Sequence, residues 1–85
     1  IDIRMRDFNI LINSLIYLDG LAIIKNSNVP HYYTNRALCY LNQKRWPQAV
    51  QDARQALEKD PNLVKGHFYL GKEPYYHTYG QILQF

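Results

Sequence analysis

The sequence predicts an all-α fold of antiparallel helical hairpins, a short stretch of α-solenoid, and three observations carry that prediction. Apolar residues recur at helical spacing through the middle of the chain. Proline-centred punctuation at Pro30, Pro47 and Pro61 cuts that stretch into helix-length segments. Small residues also return after a fixed interval: Ala56 follows Ala22, and Gly71, closing Phe68-Tyr69-Leu70-Gly71, follows Ala37, closing Thr34-Asn35-Arg36-Ala37, each by 34 positions.

The first element is an apolar stretch over residues 8–24, FNILINSLIYLDGLAII. Phe8, Leu11, Ile12, Leu15, Leu18 and Ala22 follow helical spacing, which predicts a buried face of an amphipathic helix. Gly20 weakens that helix by about 1 kcal/mol. Arg4 and Arg6 precede the stretch in the charge pattern of a signal peptide. Asn9, Asn13 and Asp19 argue against a membrane span, since an aspartate near the centre of one costs about 2.5–3.5 kcal/mol, and the stretch is short for a span. The expectation is a soluble helix and no membrane.

The second element opens after the polar turn Asn26-Ser27-Asn28. Pro30 suits a first helical turn, where its missing N–H has no partner in any case. His31 to Gln43 is the predicted first helix of a hairpin, with Tyr33, Ala37, Tyr40 and Leu41 on one apolar face. Lys44 and Arg45 end it, and Trp46-Pro47 restarts the chain. Pro47 to Lys59 is the second helix, with Ala49, Val50, Ala53, Ala56 and Leu57 inward. Asp60-Pro61-Asn62 is a stop and turn. A third helix is predicted from Asn62 or Leu63, with Val64, Phe68 and Leu70 as its apolar positions. The alanines allow close helix approach, and Tyr33, Tyr40 and Trp46 fill the space that they leave.

Tyr33, Ala37, Tyr40, Trp46, Ala49, Ala56 and Pro61 at a 34-residue period match the tetratricopeptide pattern. The sequence therefore divides into a divergent apolar segment, 1–20, expected to be helical; a partial tetratricopeptide domain, 21–73, with one complete repeat at 30–63; and a divergent tail, 74–85. The strings YYTNRALCYL (32–41), ARQALEKD and VKGHFYLG carry a closer likeness. They resemble the tetratricopeptide domain of the CHIP family, carboxyl-terminal Hsc70-interacting co-chaperones that are also U-box ubiquitin ligases. The resemblance covers about residues 21–72. Its loss on either side predicts a truncated or alternatively spliced product, or a reading frame that runs into non-coding sequence.

The resemblance implies a partner and a site. In that family the first helices of the repeats line a groove for the acidic C-terminal tail, Glu-Glu-Val-Asp, of 70-kDa and 90-kDa heat-shock chaperones, in support of ubiquitin-dependent protein quality control. Lysine and asparagine side chains hold the carboxylates by charge-assisted hydrogen bonds. Asn35 and Lys65 match two of those grips. Phe68 matches an aromatic that lines a pocket for the peptide's apolar side chains. Helix geometry turns Asn35 about 200° from Ala37, outward if Ala37 packs, with Leu38 and Asn42 on the same face. The peptide-binding set is Asn35, Leu38, Asn42, Lys65 and Phe68. The family's first pair of grips would fall before residue 8, where no motif matches. Its dimerising hairpin and U-box have no counterpart in these residues. The alternative is a generic tetratricopeptide scaffold without a chaperone grip.

Composition restricts the other classes. Hydrophobic residues make up 47% of the chain, ordinary for a folded protein, and the formal net charge is only +3. The basic residues are scattered, which predicts no nucleic-acid partner, although Tyr75, Tyr76 and Tyr79 could stack bases. A single cysteine, Cys39, excludes an internal disulfide and reads as a small buried hydrophobe in a cytoplasmic protein. His31, His67 and His77 lack metal-ligand spacing. Arg36 and Arg54 read as surface or ion-pair residues. No phosphate loop, nucleophile elbow, zinc-helix or dithiol motif occurs, so the chain is read as a non-enzyme with no catalytic residue, no metal and no cofactor.

Overall fold

In a computed structural model, residues 3–71 are described, and all of their regular structure is helical. The elements are α1 (Ile3–Lys25), α2 (Pro30–Asn42) and α3 (Trp46–Lys59). Residues 64–71 are helical as far as the description extends. The all-α hairpin fold that the periodicity predicts is the one observed. Predicted starts and stops differ by a residue or two: α2 begins at Pro30 and ends at Asn42, α3 begins at Trp46, and the last segment begins at 64. The tail 74–85, with Pro74, His77 and its tyrosines, lies outside the described residues.

Neither α2 nor α3 has a side-chain N-cap; each instead places a proline in its first turn, where no backbone donor is lost. The turn into α2 is held by Asn28 N–H donating to Asn26 Oδ1 at 3.2 Å and by the Tyr33 hydroxyl donating to the Ser27 carbonyl at 2.9 Å. The end of α2 is sharper. Lys44 takes a left-handed backbone, φ 59°. Arg45 N–H then reaches the Tyr40 carbonyl at 2.9 Å and Lys44 N–H the Leu41 carbonyl at 3.0 Å. This pair of bonds is a Schellman close, which satisfies carbonyls that the helix end would otherwise orphan.

The hairpin packs through small residues. Ala37, Ala49, Ala53 and Ala56 are fully buried, as the alanine pattern predicts. Ala37 and Ala53 join Tyr69 in one cluster, with Leu41 and Leu70 packed against it. That cluster brings α2, α3 and the 64–71 segment together. Gly66 lets α3 come close: a Cβ there would stand 2.8 Å from Leu57 Cδ2 and 2.9 Å from Leu57 Cγ. Cys39 is buried, and desolvation pushes its thiol pKa up, away from the reactive thiolate.

Helix α1 departs from expectation in two ways. First, the face predicted to be buried is not the one that packs. Of Phe8, Leu11, Ile12, Leu15, Leu18 and Ala22, Ile12 is buried and Ala22 half-buried, while the other four are exposed. Apolar residues lie on nearly every side of α1, so spacing alone cannot select the contact face. The face that packs carries Ile12, which is buried, and Asn13, whose Oδ1 accepts from Gln43 Nε2 at 2.7 Å. Second, the apolar stretch belongs to a single helix of 23 residues that runs through Gly20, about 34 Å long. Shortness therefore does not count against a span. By length and composition Arg4–Lys25 is apolar enough to cross a membrane, and little of its most apolar stretch is buried. Asp19, half-buried beside α2, remains the obstacle to that reading.

Candidate functional site

Burial of one side of α2 determines what its other side offers. Tyr33, Thr34, Ala37 and Cys39 are buried, and the Thr34 hydroxyl donates to the His31 carbonyl at 3.0 Å rather than to solvent. Asn35, Leu38 and Asn42 are therefore left exposed. Their spacing of three and four puts them on one face. The outward orientation of Asn35 inferred from buried Ala37 is the observed one.

The 64–71 segment works the same way. Gly66 and Tyr69 are buried against α3, so Lys65 and Phe68, three residues apart, are exposed one turn from each other. The Phe68 ring meets Tyr69 edge-on, with centroids 5.7 Å apart and planes at 62°. Through the shared cluster of Ala37, Ala53 and Tyr69, these two helices meet on α3. The five candidate residues thus fall into two exposed sets, one per helix. Three depressions lie away from these residues: one along α1 at Ile10, Tyr17 and Leu18, one between α2 and α3 around Arg36 and Asp52, and one over α3 at Val50, Arg54 and Glu58.

A second cluster is only half legible in the sequence. Arg36 is an ion-pair residue, as expected, but its partner is Asp52, on α3. Arg36 Nε and Nη2 donate to Asp52 Oδ2 and Oδ1 at 2.7 and 2.8 Å. The bonds to Asp52 raise the Arg36 pKa above its ordinary value against an opposing desolvation. Burial raises the Asp19 pKa, while Arg36 pulls it back and Asp52 adds to the rise. Lys59 Nζ lies 5.2 Å from the Tyr33 ring and Arg45 4.7 Å from that of Tyr40. The signal for the Arg36–Asp52 pair is the charge of Asp52 among the inward alanines of α3. An aspartate on an alanine face needs a cation opposite it.

His67 Nε2 donates to the Pro61 carbonyl at 2.7 Å, and His31 is exposed on α2. Among the described residues no group of three His, Cys, Asp or Glu side chains is placed to hold a metal ion. Arg54 is exposed on α3.

Comparison with known proteins agrees with this architecture. Residues 31–63 match the tetratricopeptide repeat family. These residues are a tetratricopeptide repeat. The chain is 46% identical over 50 residues to an Arabidopsis thaliana protein, E3 ubiquitin-protein ligase CHIP, covering 59% of this chain and 18% of that protein. It is 39% identical over 46 residues to Hsp70-Hsp90 organizing protein 2 of the same plant, covering 54% of this chain and 8% of the relative. It is 31% identical over 70 residues to the yeast small glutamine-rich tetratricopeptide repeat-containing protein 2, covering 82% of this chain and 19% of the relative. The chain therefore spans less than a fifth of the length of these relatives. The tetratricopeptide repeat is a non-catalytic interaction module, and one of these relatives is named for organizing Hsp70 and Hsp90. α2 and α3 are its two helices, and the five candidate residues lie on α2 and on the helix that follows the repeat.

Proposed function

We propose that this module holds the acidic C-terminal tail of 70-kDa and 90-kDa heat-shock chaperones, with Asn35 and Lys65 as carboxylate grips and Leu38, Asn42 and Phe68 as the surrounding contacts. One observation carries the reading. The residues that match the CHIP grips are exposed, while their helical neighbours Ala37, Gly66 and Tyr69 are buried. A lysine ammonium supplies charge, and an asparagine amide supplies a directed donor; together they suit a terminal carboxylate. The names of the relatives, CHIP and Hsp70-Hsp90 organizing protein, support chaperone tails as the ligand class. On this reading the protein acts in the cytoplasm, in chaperone-linked and ubiquitin-dependent quality control, and contributes recognition rather than catalysis.

Titration of a fluorescent peptide ending in Glu-Glu-Val-Asp tests it. The expected result is saturable binding that weakens with salt and drops in Lys65→Ala and in Asn35→Ala. A peptide with an amidated C-terminus should bind less tightly than the free acid. Absence of binding up to about 1 mM peptide, an affinity limit of roughly 4 kcal/mol, would overturn the proposal and leave a scaffold repeat.

A further inference from the structure

Helix α1 leaves a regular apolar seam open. Phe8, Leu11, Leu15, Leu18 and Ala22 recur at alternating intervals of three and four, the a and d positions of a heptad repeat. Phe8, Leu11, Leu15 and Leu18 are 48%, 55%, 39% and 58% exposed, whereas neighbouring Ile12 is 5% exposed. The body of the protein therefore covers the Ile12 edge of α1 and not the seam. Heptad spacing fits a second helix, because side chains at these positions drop into the holes of a facing helix.

The seam is complementary to itself when two copies run antiparallel. With the two-fold axis beside residue 13, Phe8 falls opposite Leu18 of the second copy, and Leu11 opposite Leu15. Symmetry repeats each contact, giving four apolar layers from one stripe. The next layer sets Ala22 against Arg4, and a small residue there leaves room for the arginine stem to lie along the seam with its head in water. With Met5 and Leu21 exposed beside the seam, two copies cover on the order of 1,000 Å² in total, the lower bound of a specific interface. A bilayer is the competing occupant of a helix this apolar. Asn9, Asn13, Ser14 and Asp19 disfavour it, since they lie outside the seam and would have to enter lipid.

We infer that α1 is a self-association helix, through which two copies of this chain pair antiparallel along Phe8, Leu11, Leu15 and Leu18. Sedimentation equilibrium of the whole 85-residue chain tests it from about 1 to about 100 µM, the range of modest affinities. The mass is expected to climb from 10.1 kDa towards twice that value, and Leu11→Asp should move the transition to at least about tenfold higher concentration. Two gentler variants read the orientation. When Leu11→Cys and Leu15→Cys chains are mixed and oxidised, the mixed disulfide should predominate over either homodisulfide. A constant 10.1 kDa mass, aggregates of no fixed size, or a predominance of Leu11→Cys homodisulfide would each overturn the inference. So would co-sedimentation with phosphatidylcholine–phosphatidylserine vesicles by a chain that stays monomeric without them.

Discussion

Arg36 on α2 and Asp52 on α3 are joined by two hydrogen bonds, 2.7 and 2.8 Å long, that tie the two helices of the repeat together beside their alanine contact. The Asp52 side chain is 4% exposed, while that of Arg36 keeps 24% of its surface in water. The carboxylate is the partner that cannot recover hydration by itself.

Removing the arginine should therefore cost more than the pair contributes. Arg36→Ala is expected to lose about 3 kcal/mol of stability, the penalty of a buried carboxylate without its cation. Arg36→Met with Asp52→Leu removes both charges and should recover most of that loss. Urea denaturation of the three chains measures this. A double variant as unstable as Arg36→Ala would mean that the two bonds themselves, and not desolvation of Asp52, hold the hairpin.

Asp19 gives a pH signature. Burial raises its pKa in the folded protein, so the folded state binds its proton more tightly than the unfolded chain does. Stability should fall as pH rises through the carboxylate range and level off above the raised value. Asp19→Asn should melt at a higher temperature than the parent at neutral pH, with the gap closing in acid. Thermal melts by circular dichroism at several pH values read this directly, and a gap independent of pH would contradict it.

Lys44 carries a left-handed backbone at the end of α2. For a residue with a Cβ this conformation costs about 1–2 kcal/mol, and for glycine it does not, although glycine loses more entropy on folding. Lys44→Gly should raise stability by about 0.5–1 kcal/mol. Lys44→Val should lower it, because a β-branched side chain resists this conformation. Melting temperatures of the two variants should move in opposite directions.

Gly66 tests close packing against propensity. Alanine gains about 1 kcal/mol in a helix, but its Cβ would stand within 3 Å of two Leu57 atoms, and such overpacking costs about 1–3 kcal/mol. Gly66→Ala should be destabilising in the parent. In a Leu57→Ala background, which empties that space, the same change should be stabilising. Chemical denaturation of the four chains of this cycle settles the sign.

Much of the repeat is legible in the order of its residues. Pro30, Pro47 and Pro61 mark the helix starts and the last turn, because proline suits positions where a backbone donor is unused. Ala37, Ala49, Ala53 and Ala56 mark the packing faces, since small residues at helical spacing have few other uses. Asn35 is legible as exposed because its neighbour Ala37 is legible as buried. The site remains two separate residue sets in the sequence, on α2 and on 64–71, because nothing local shows that both helices seat on α3.

Tertiary structure alone decided three things. It selected the packing face of α1, where Ile12 is buried and Asn13 accepts from Gln43, because a helix apolar on almost every side gives spacing nothing to discriminate. It chose Asp52 as the partner of Arg36 across the hairpin, because side chains on different helices meet by packing and not by separation along the chain. It brought Tyr69 onto Ala37 and Ala53, joining the helix after the repeat to the repeat itself. The sequence by itself determined which helices form and where they turn, since those depend on backbone chemistry over a few residues. Which faces of α1 and of the last helix stay open was a matter of neighbours, and neighbours exist only once the chain has folded.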